Sequence, residues 1–340
     1  MDMDAAGIAG LLAAYRAEMA KRIIGQEEMI DGLLSAFIAG GHILLEGAPG
    51  LAKTLAVKSF AELTGLLFKR IQFTPDLLPA DLTGTLIWDQ GTGKFRVRRG
   101  PVFANVILAD EINRAPAKVQ SALLEAMEER QVTIGENTYP LPEPFLVLAT
   151  QNPIEHEGTY NLPEAQLDRF LVKLLVKYPK AEEEIRILED GYWGERAAIS
   201  PLSEWGPVEQ GFLEQFRLAL DGVRVDRRIL EYMVAVVAAT RPGENAPAFE
   251  SRLEESRRAR GDGIYRYISY GASPRASIAL YQCCRIHALF QGRSFVIPED
   301  VKNAAFPALR HRIVLSYEAE ADGLDSDAII TRILALIPVP

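Results

Sequence analysis

The sequence predicts an α/β domain built on a parallel sheet, followed by a smaller all-helical domain, and three observations carry that expectation. GHILLEGAPGLAKT (41–54) runs a short apolar stretch straight into a glycine-containing loop and then into a helical pattern. VILADE (106–111) and FLVLATQNP (145–153) are further apolar runs that end in polar side chains, as strands covered on both faces do when they stop at one sheet edge. From about Val223 the periodicity is helical throughout.

Taken in order, residues 1–24 read as an amphipathic N-terminal helix carrying Ile8, Leu11, Leu12, Tyr15 and Met19. Ile43, Leu44 and Leu45 form the first buried strand. Gly47, Ala48, Pro49, Gly50, Leu51, Ala52, Lys53 and Thr54 then follow the pattern G-x-x-x-x-G-K-[ST], with Ala52 in place of the second glycine. Leu55, Ala56, Phe60 and Leu63 continue at helical spacing until Gly65 marks a stop. Strand, glycine loop and helix in that order suit a polyphosphate, because backbone N–H groups at a helix N-terminus surround the anion. Lys53 then supplies a point charge to the β/γ-phosphates and Thr54 a hydroxyl to Mg²⁺. A plain glycine turn beside a surface lysine is the alternative.

VILADE ends in adjacent carboxylates. A parallel strand delivers its C-terminal residues to the crevice where ligands bind, so Asp110 is placed to hold Mg²⁺ and Glu111 to polarise an attacking water. A strand that merely ends in an acidic helix start is the alternative for that segment alone. Asn152 closes the next apolar run and delivers a polar group to the same edge. Arg169 follows in LPEAQLDRF. In GASPRAS, Ser273 is a natural N-cap, Pro274 suits the first turn and Arg275 stands at the helix start. The helix dipole does not favour a cation there, which makes a partner phosphate the sharper reading and a surface ion pair the plainer one.

GAPGLAKT, ILADEINRAP, LLEAMEERQVT, LATQNP, LPEAQLDRF and GASPRA together resemble the MoxR family of AAA+ ATPases, over about Ile24 to Leu315. Alanine before the lysine matches that family's usage. The resemblance implies a P-loop NTPase (AAA+) parallel-sheet domain with a C-terminal all-helical lid, binding MgATP between them. It makes Lys53 and Thr54 the Walker A residues, with Gly47 to Leu55 cofactor-binding, and Asp110 and Glu111 the Walker B residues. Asn152 becomes sensor 1, Arg169 the arginine finger and Arg275 sensor 2. Ile23 and Ile24, in IIGQ, match the segment that packs on adenine.

Two family insertions are matched as well. Within 82–101, Trp88 to Val97 reads as a hairpin turning at Gly91 and Gly93; 130–145 reads as a second, turning at Gly135 to Asn137. Hairpins of this kind face the central channel in related machines, where Lys94, Arg96, Arg98 and Arg99 would touch a client. A solvated charged face is the alternative. The domain expectation is an N-terminal helix (1–24), the nucleotide-binding domain (25–178), a connecting helical segment (179–222) and the lid (223–340).

The implied activity is hydrolysis of ATP to ADP and phosphate by a homo-oligomeric ring, a hexamer, that remodels or matures protein clients with a von Willebrand factor A domain partner. A finger that completes a neighbour's site needs a heterologous interface, and such interfaces close into rings or make filaments. Two rivals stand beside it. A ring-helicase type of nucleic-acid motor fits the insertions, yet the net charge of −9 opposes nucleic-acid binding. The densest basic stretch, SRLEESRRARGDG (251–263), has no interleaved aromatics and reads as a solvated loop or interface. A non-hydrolysing nucleotide-sensing scaffold would need none of Asp110, Glu111, Asn152 and Arg169.

With 340 residues, 48% hydrophobic, the chain has room for two ordinary globular domains. Cys283 and Cys284 are adjacent and do not face each other on a helix, which excludes a disulfide framework. His42, His156, His287 and His311 are scattered, with no zinc-like spacing. The residues before AAGIAGLLAAY are acidic where a signal peptide needs basic ones, and no run reaches the ~18 apolar residues of a membrane span. The expected location is cytoplasmic.

Overall fold

The computed structural model describes residues 5–153, 158–189, 210–242 and 263–340. Residues 190–209 of the expected connecting segment, the arginine-rich stretch up to residue 262 and His156 lie outside the described residues. In chain order the elements are α1 (Ala5–Ala20), α2 (Glu27–Ala39), β1 (Ile43–Glu46), α3 (Lys53–Thr64), β2 (Phe68–Gln72), α4 (Pro79–Thr83), β3 (Gly84–Asp89) and β4 (Lys94–Arg99). They continue with β5 (Val106–Asp110), α5 (Ala117–Glu129), β6 (Gln131–Ile134), β7 (Asn137–Pro140), β8 (Leu146–Gln151), α6 (Glu164–Leu167), β9 (Val172–Leu175) and α7 (Ala181–Glu189). The remainder are α8 (Gln210–Asp221), α9 (Arg227–Ala238), β10 (Ile268–Tyr270), α10 (Pro274–Phe290), α11 (Pro298–Leu309), β11 (Val314–Leu315), α12 (Tyr317–Ala321) and α13 (Ser326–Leu336).

Two compact units form. One comprises Leu12–Phe170 and Leu174–Glu214; the other comprises Met1–Leu11, Leu171–Lys173 and Gln215–Pro340. The sheet of the first has the order β2-β5-β8-β1-β9, with β2·β5, β5·β8 and β8·β1 all parallel. The central strands β1, β5 and β8 are almost wholly buried, which is why they read as unbroken apolar runs. β2, at the edge, buries only Ile71 fully and keeps Lys69, Arg70 and Gln72 exposed. Phe60 of α3 sits edge-on to Tyr15 of α1 at 6.1 Å and to Phe37 of α2 at 5.4 Å, locking three helices over the sheet. α1 stops at Ala20, short of the expected end at 24, but Ile8, Leu12, Tyr15 and Met19 form its buried stripe.

Both hairpins are present. β3 and β4 pair from Gly84↔Arg99 to Asp89↔Lys94, extending beyond the Trp88–Val97 read from sequence. Gly84 and Gly100 close the stem: a Cβ on Gly100 would lie 2.1 Å from the Leu82 carbonyl oxygen, and Gly84 sits at φ 102°. The pleat separates the basic residues. Lys94, Arg96 and Arg98 share one face, while Arg99 turns to the other and lies over the rings of Phe103 (4.8 Å) and Tyr139 (5.7 Å). In the second hairpin Ile134 pairs with Asn137, so the turn is only Gly135–Glu136 and Asn137 belongs to β7. A two-residue turn matches strand twist better than the longer one expected.

The second unit is mostly helical, with a short ladder of β10 against β11 that helical periodicity did not reveal. Asp226, Ser273 and Asp325 accept from backbone N–H groups two or three residues on, capping α9, α10 and α13. Asp300, in the first turn of α11, does more than cap that helix. Fully buried, it accepts from Ile297 N (2.8 Å), Arg293 (2.6 and 2.9 Å) and His287 Nδ1 (2.6 Å). Burial alone would raise its pKa, but these donors hold the carboxyl well below the usual range. Cys283 and Cys284 are free and buried, and burial pushes the Cys283 thiol up to about 12. Among the described residues, no helix is long and apolar enough to cross a membrane.

His42, just ahead of β1, ties the sheet to α5. Its Nδ1 accepts from Val147 N at 3.1 Å, so Nε2 carries the proton and donates to Met127 O at 3.2 Å. Burial pulls its pKa down to about 4. The folded state thus prefers neutral imidazole, and the stability it contributes is present above the unfolded value of about 6.5 and is lost as pH falls toward 4. Between those limits the stability difference between wild type and His42→Gln should shrink by about 1.4 kcal/mol per pH unit, on the order of 3 kcal/mol in all. Urea unfolding of both proteins across that window measures it, and a constant difference would assign the pH dependence elsewhere.

Candidate active site

The loop between β1 and α3 is shaped by two close constraints. A Cβ on Gly47 would meet Val176 O at 2.7 Å, so only glycine lets the loop leave the strand there. Gly50 (φ 83°) and Ala52 (φ 55°) both adopt left-handed backbone. For an alanine that conformation costs roughly 1–2 kcal/mol, which explains why the general pattern has glycine at this place. Ala52 stands immediately before Lys53, so the bend exposes the first N–H groups of α3 to the concavity. Lys53 Nζ donates to Gly47 O at 2.7 Å, and burial lowers its pKa against the opposing pull of Asp110 and Glu111.

A cavity of about 680 Å³ opens here, within the range of roughly 300–1,000 Å³ for small-molecule sites. Pro49, Gly50, Leu51, Ala52, Lys53, Thr54 and Leu55 form one wall; Asp110, Glu111 and Asn152 form another. Gly47 and Ala48 do not line it: Gly47 contributes its carbonyl to Lys53 and Ala48 is buried. Ile23 and Ile24 are buried against a separate cavity of about 310 Å³, and of their neighbours it is Arg22 that reaches the main one.

The carboxylates are held by residues the sequence reading passed over. Thr150 Oγ1 donates to Asp110 Oδ1 (2.7 Å) and accepts from Glu111 N (2.8 Å), fixing the left-handed turn (φ 56°) that carries Glu111 off the end of β5. Arg70 donates to Asp110 Oδ2 from Nε (3.0 Å) and Nη2 (2.6 Å), and Nη2 also reaches Gln72 Oε1 at 2.9 Å. Gln72 Nε2 in turn donates to Glu111 Oε2 at 2.6 Å. Two alternate side chains of β2 thus clamp both carboxylates. Arg114 adds an ion pair to Glu111 at 3.1 Å. Arg22, also lining the cavity, pairs with Glu62 (2.5 Å), to which Lys58 is also paired. The only sequence signal for Arg70 and Gln72 is their period-2 spacing in FKRIQ, which puts them on one face.

The donor set suits Mg²⁺. Thr54 offers a hydroxyl and Asp110 a carboxylate to one cavity, and this cation favours a few hard oxygen ligands plus substrate phosphates over an all-protein cage. Among the described residues no group of three or more His, Cys, Asp or Glu gathers to hold a metal by itself.

Arg169 lies elsewhere, in the turn after α6. Its Nη1 donates to Leu124 O at 3.0 Å and pairs with Glu128 of α5. Arg275 is exposed in the first turn of α10, where its N–H donates to the Ser273 cap at 3.1 Å. It belongs to the other compact unit.

A family model described as "ATPase family associated with various cellular activities (AAA)" matches residues 42–172, and one described as "AAA lid domain" matches 264–333. The chain is 46% identical to Chaperone MoxR1 of Mycobacterium tuberculosis, over 95% of its own length and 81% of that protein. It is 31% identical to Protein MoxR of Methylorubrum extorquens, over 96% and 95%. A crystal structure of a putative ATPase from Cytophaga hutchinsonii superimposes with a TM-score of 0.83 at 44% identity, covering 98% of this chain and 96% of that one.

Thr150→Val keeps the shape but removes the hydroxyl that serves both carboxylate residues. It should lower stability by about 1–3 kcal/mol, the penalty for leaving buried polar groups without partners, while Thr150→Ser should recover most of it. Denaturant unfolding of the three proteins tests this; equal loss in Val and Ser variants would point to packing instead.

Proposed function

Because this chain belongs to the MoxR family of AAA+ ATPases, we propose that it hydrolyses MgATP in this cavity and works as a ring-forming motor on protein clients. The observation that carries the reading is that the Lys53–Thr54 loop, Asp110, Glu111 and Asn152 line one concavity. In this reading the loop N–H groups and Lys53, released from Gly47 O, bind the β/γ-phosphates. Thr54 and Asp110 hold Mg²⁺, which supplies charge neutralisation on the phosphate oxygens. Glu111 accepts a proton from water as its oxygen bonds to the γ-phosphorus and the bond to the β–γ bridging oxygen breaks; Asn152 orients that water. ADP and phosphate leave.

Arg169 does not line its own subunit's cavity, which suits a residue that serves the next subunit in a ring. A hexamer, a von Willebrand factor A domain partner and a cytoplasmic location belong to the same reading, as does a sensor role for Arg275. One observation favours a second reading. Lys94, Arg96 and Arg98 form a basic hairpin face of the kind a phosphate backbone meets, although the net charge of −9 weighs against a nucleic-acid motor. Salt-sensitive DNA binding together with DNA-stimulated turnover would promote that second reading.

Two variants test the ATPase reading. MgATP at 100 times its dissociation constant should stabilise the wild type by about 2.7 kcal/mol, visible as a raised Tm, and Lys53→Ala should lose most of that shift. Glu111→Gln should keep the shift while kcat falls by about 10²–10⁴. Wild-type turnover in Glu111→Gln would remove Glu111 from the role of base.

A further inference from the structure

We propose that Glu128 is a positioning residue for Arg169, holding the guanidinium ready for a second copy of this chain. The inference rests on the reading of Arg169 as a residue that acts across a subunit interface. Leu124 and Glu128 stand one helical turn apart on α5, on the same face. Both engage a single nitrogen of Arg169, Nη1: the Leu124 carbonyl at 3.0 Å and the Glu128 carboxylate as an ion pair. The arginine is therefore gripped at one end of its planar head. Its Nε is buried without an acceptor, and Gln166 Oε1, from a residue lining the same cavity, is buried without a donor. The side chains of Arg169 and Glu128 remain 30% and 37% exposed and line a cavity of about 250 Å³.

An arginine side chain loses much of its rotamer freedom when it is fixed in place. Here that ordering precedes docking, so a neighbour's phosphate meets a charge already in place rather than a mobile one. A carboxylate suits this task better than a neutral acceptor. It strengthens the bond to Nη1, yet its partial exposure leaves the pair open to rearrangement when a stronger anion arrives. The rival is a local ion pair that only ties α5 to the turn after α6.

Mixing experiments on the full chain separate the two, because a residue that acts through Arg169 fails in its neighbour's site and not in its own. Glu128→Ala should keep the wild-type Tm shift with MgATP while kcat drops by roughly tenfold or more, short of the roughly 10³–10⁵ loss that removal of an arginine finger brings. Glu128→Gln, which retains an oxygen acceptor, should recover part of the rate. The double variant Glu128→Ala/Arg169→Ala should be no slower than Arg169→Ala alone. Mixed with Glu111→Gln subunits after confirmed exchange, Glu128→Ala should regain activity, as Arg169→Ala does in the parallel mixture.

Complementation by Arg169→Ala but wild-type turnover of Glu128→Ala, or no regain from Glu128→Ala on mixing, overturns the role of Glu128 and leaves the finger intact. Wild-type turnover by Arg169→Ala overturns the finger reading, and this inference with it. Should Glu128→Ala fail to fold, Glu128→Gln carries the same comparisons, and a Glu128→Gln protein that loses rate without complementing also overturns the proposal.

Discussion

The site depends on the register of three parallel strands. Leu108 is level with Leu148, which is level with Ile43; Ala109 with Ala149 and Leu44 follow. One step further, the same ladder brings Asp110 beside Thr150 and Thr150 beside Leu45, two residues short of the loop glycine Gly47. Slipping any of these strands by one residue would turn its side chains to the opposite face and bury the wrong set. The observed register therefore sets the positions of the polar groups where these strands end. Core and site are specified by the same contacts.

Two non-glycine residues in left-handed conformation, Ala52 and Glu111, flank this edge. Each stands where a strand or loop must turn abruptly to present a functional group: the first N–H groups of α3 in one case, a carboxylate in the other. The cost is offset locally. For Glu111 the Thr150 hydroxyl accepts its N–H; for Ala52 the helix that begins at the next residue takes up the chain. Backbone strain at a functional edge, held by its surroundings, is the expected pattern for preorganised sites.

The central strands, the phosphate loop and the carboxylates were legible in the sequence because each combines an apolar run with polar punctuation. What escaped has physical reasons. β2 is half-exposed at the sheet edge, so FKRIQ shows charge where a buried strand shows Val, Ile or Leu, and the clamp by Arg70 and Gln72 went unseen. Thr150 is hidden within an apolar run, where a β-branched hydroxyl reads as core. The β10–β11 ladder is three residues against two, too short for any period to register. Ile23 and Ile24 were assigned by likeness of wording, and only side-chain packing reveals that they back a different cavity. The partner of Arg169 is a glutamate forty-one positions earlier in the chain, a pairing that no local spacing encodes.

β2 has a further consequence, mechanical in kind. It has one neighbour in the sheet, β5, and its site end leads through α4 into the stem of the β3–β4 hairpin, whose glycines Gly84 and Gly100 leave no slack. The return path from the hairpin enters β5 at the opposite end, away from the carboxylates. A force on the hairpin tip therefore reaches the site end of the sheet through α4 and β2, alongside the contacts that Arg99 makes with Phe103 and Tyr139. The first groups it meets there are Gln72 and Arg70, the side chains that keep Glu111 and Asp110 aligned. β2 is thus both the chain's link to the hairpin and the strand whose side chains align the carboxylates.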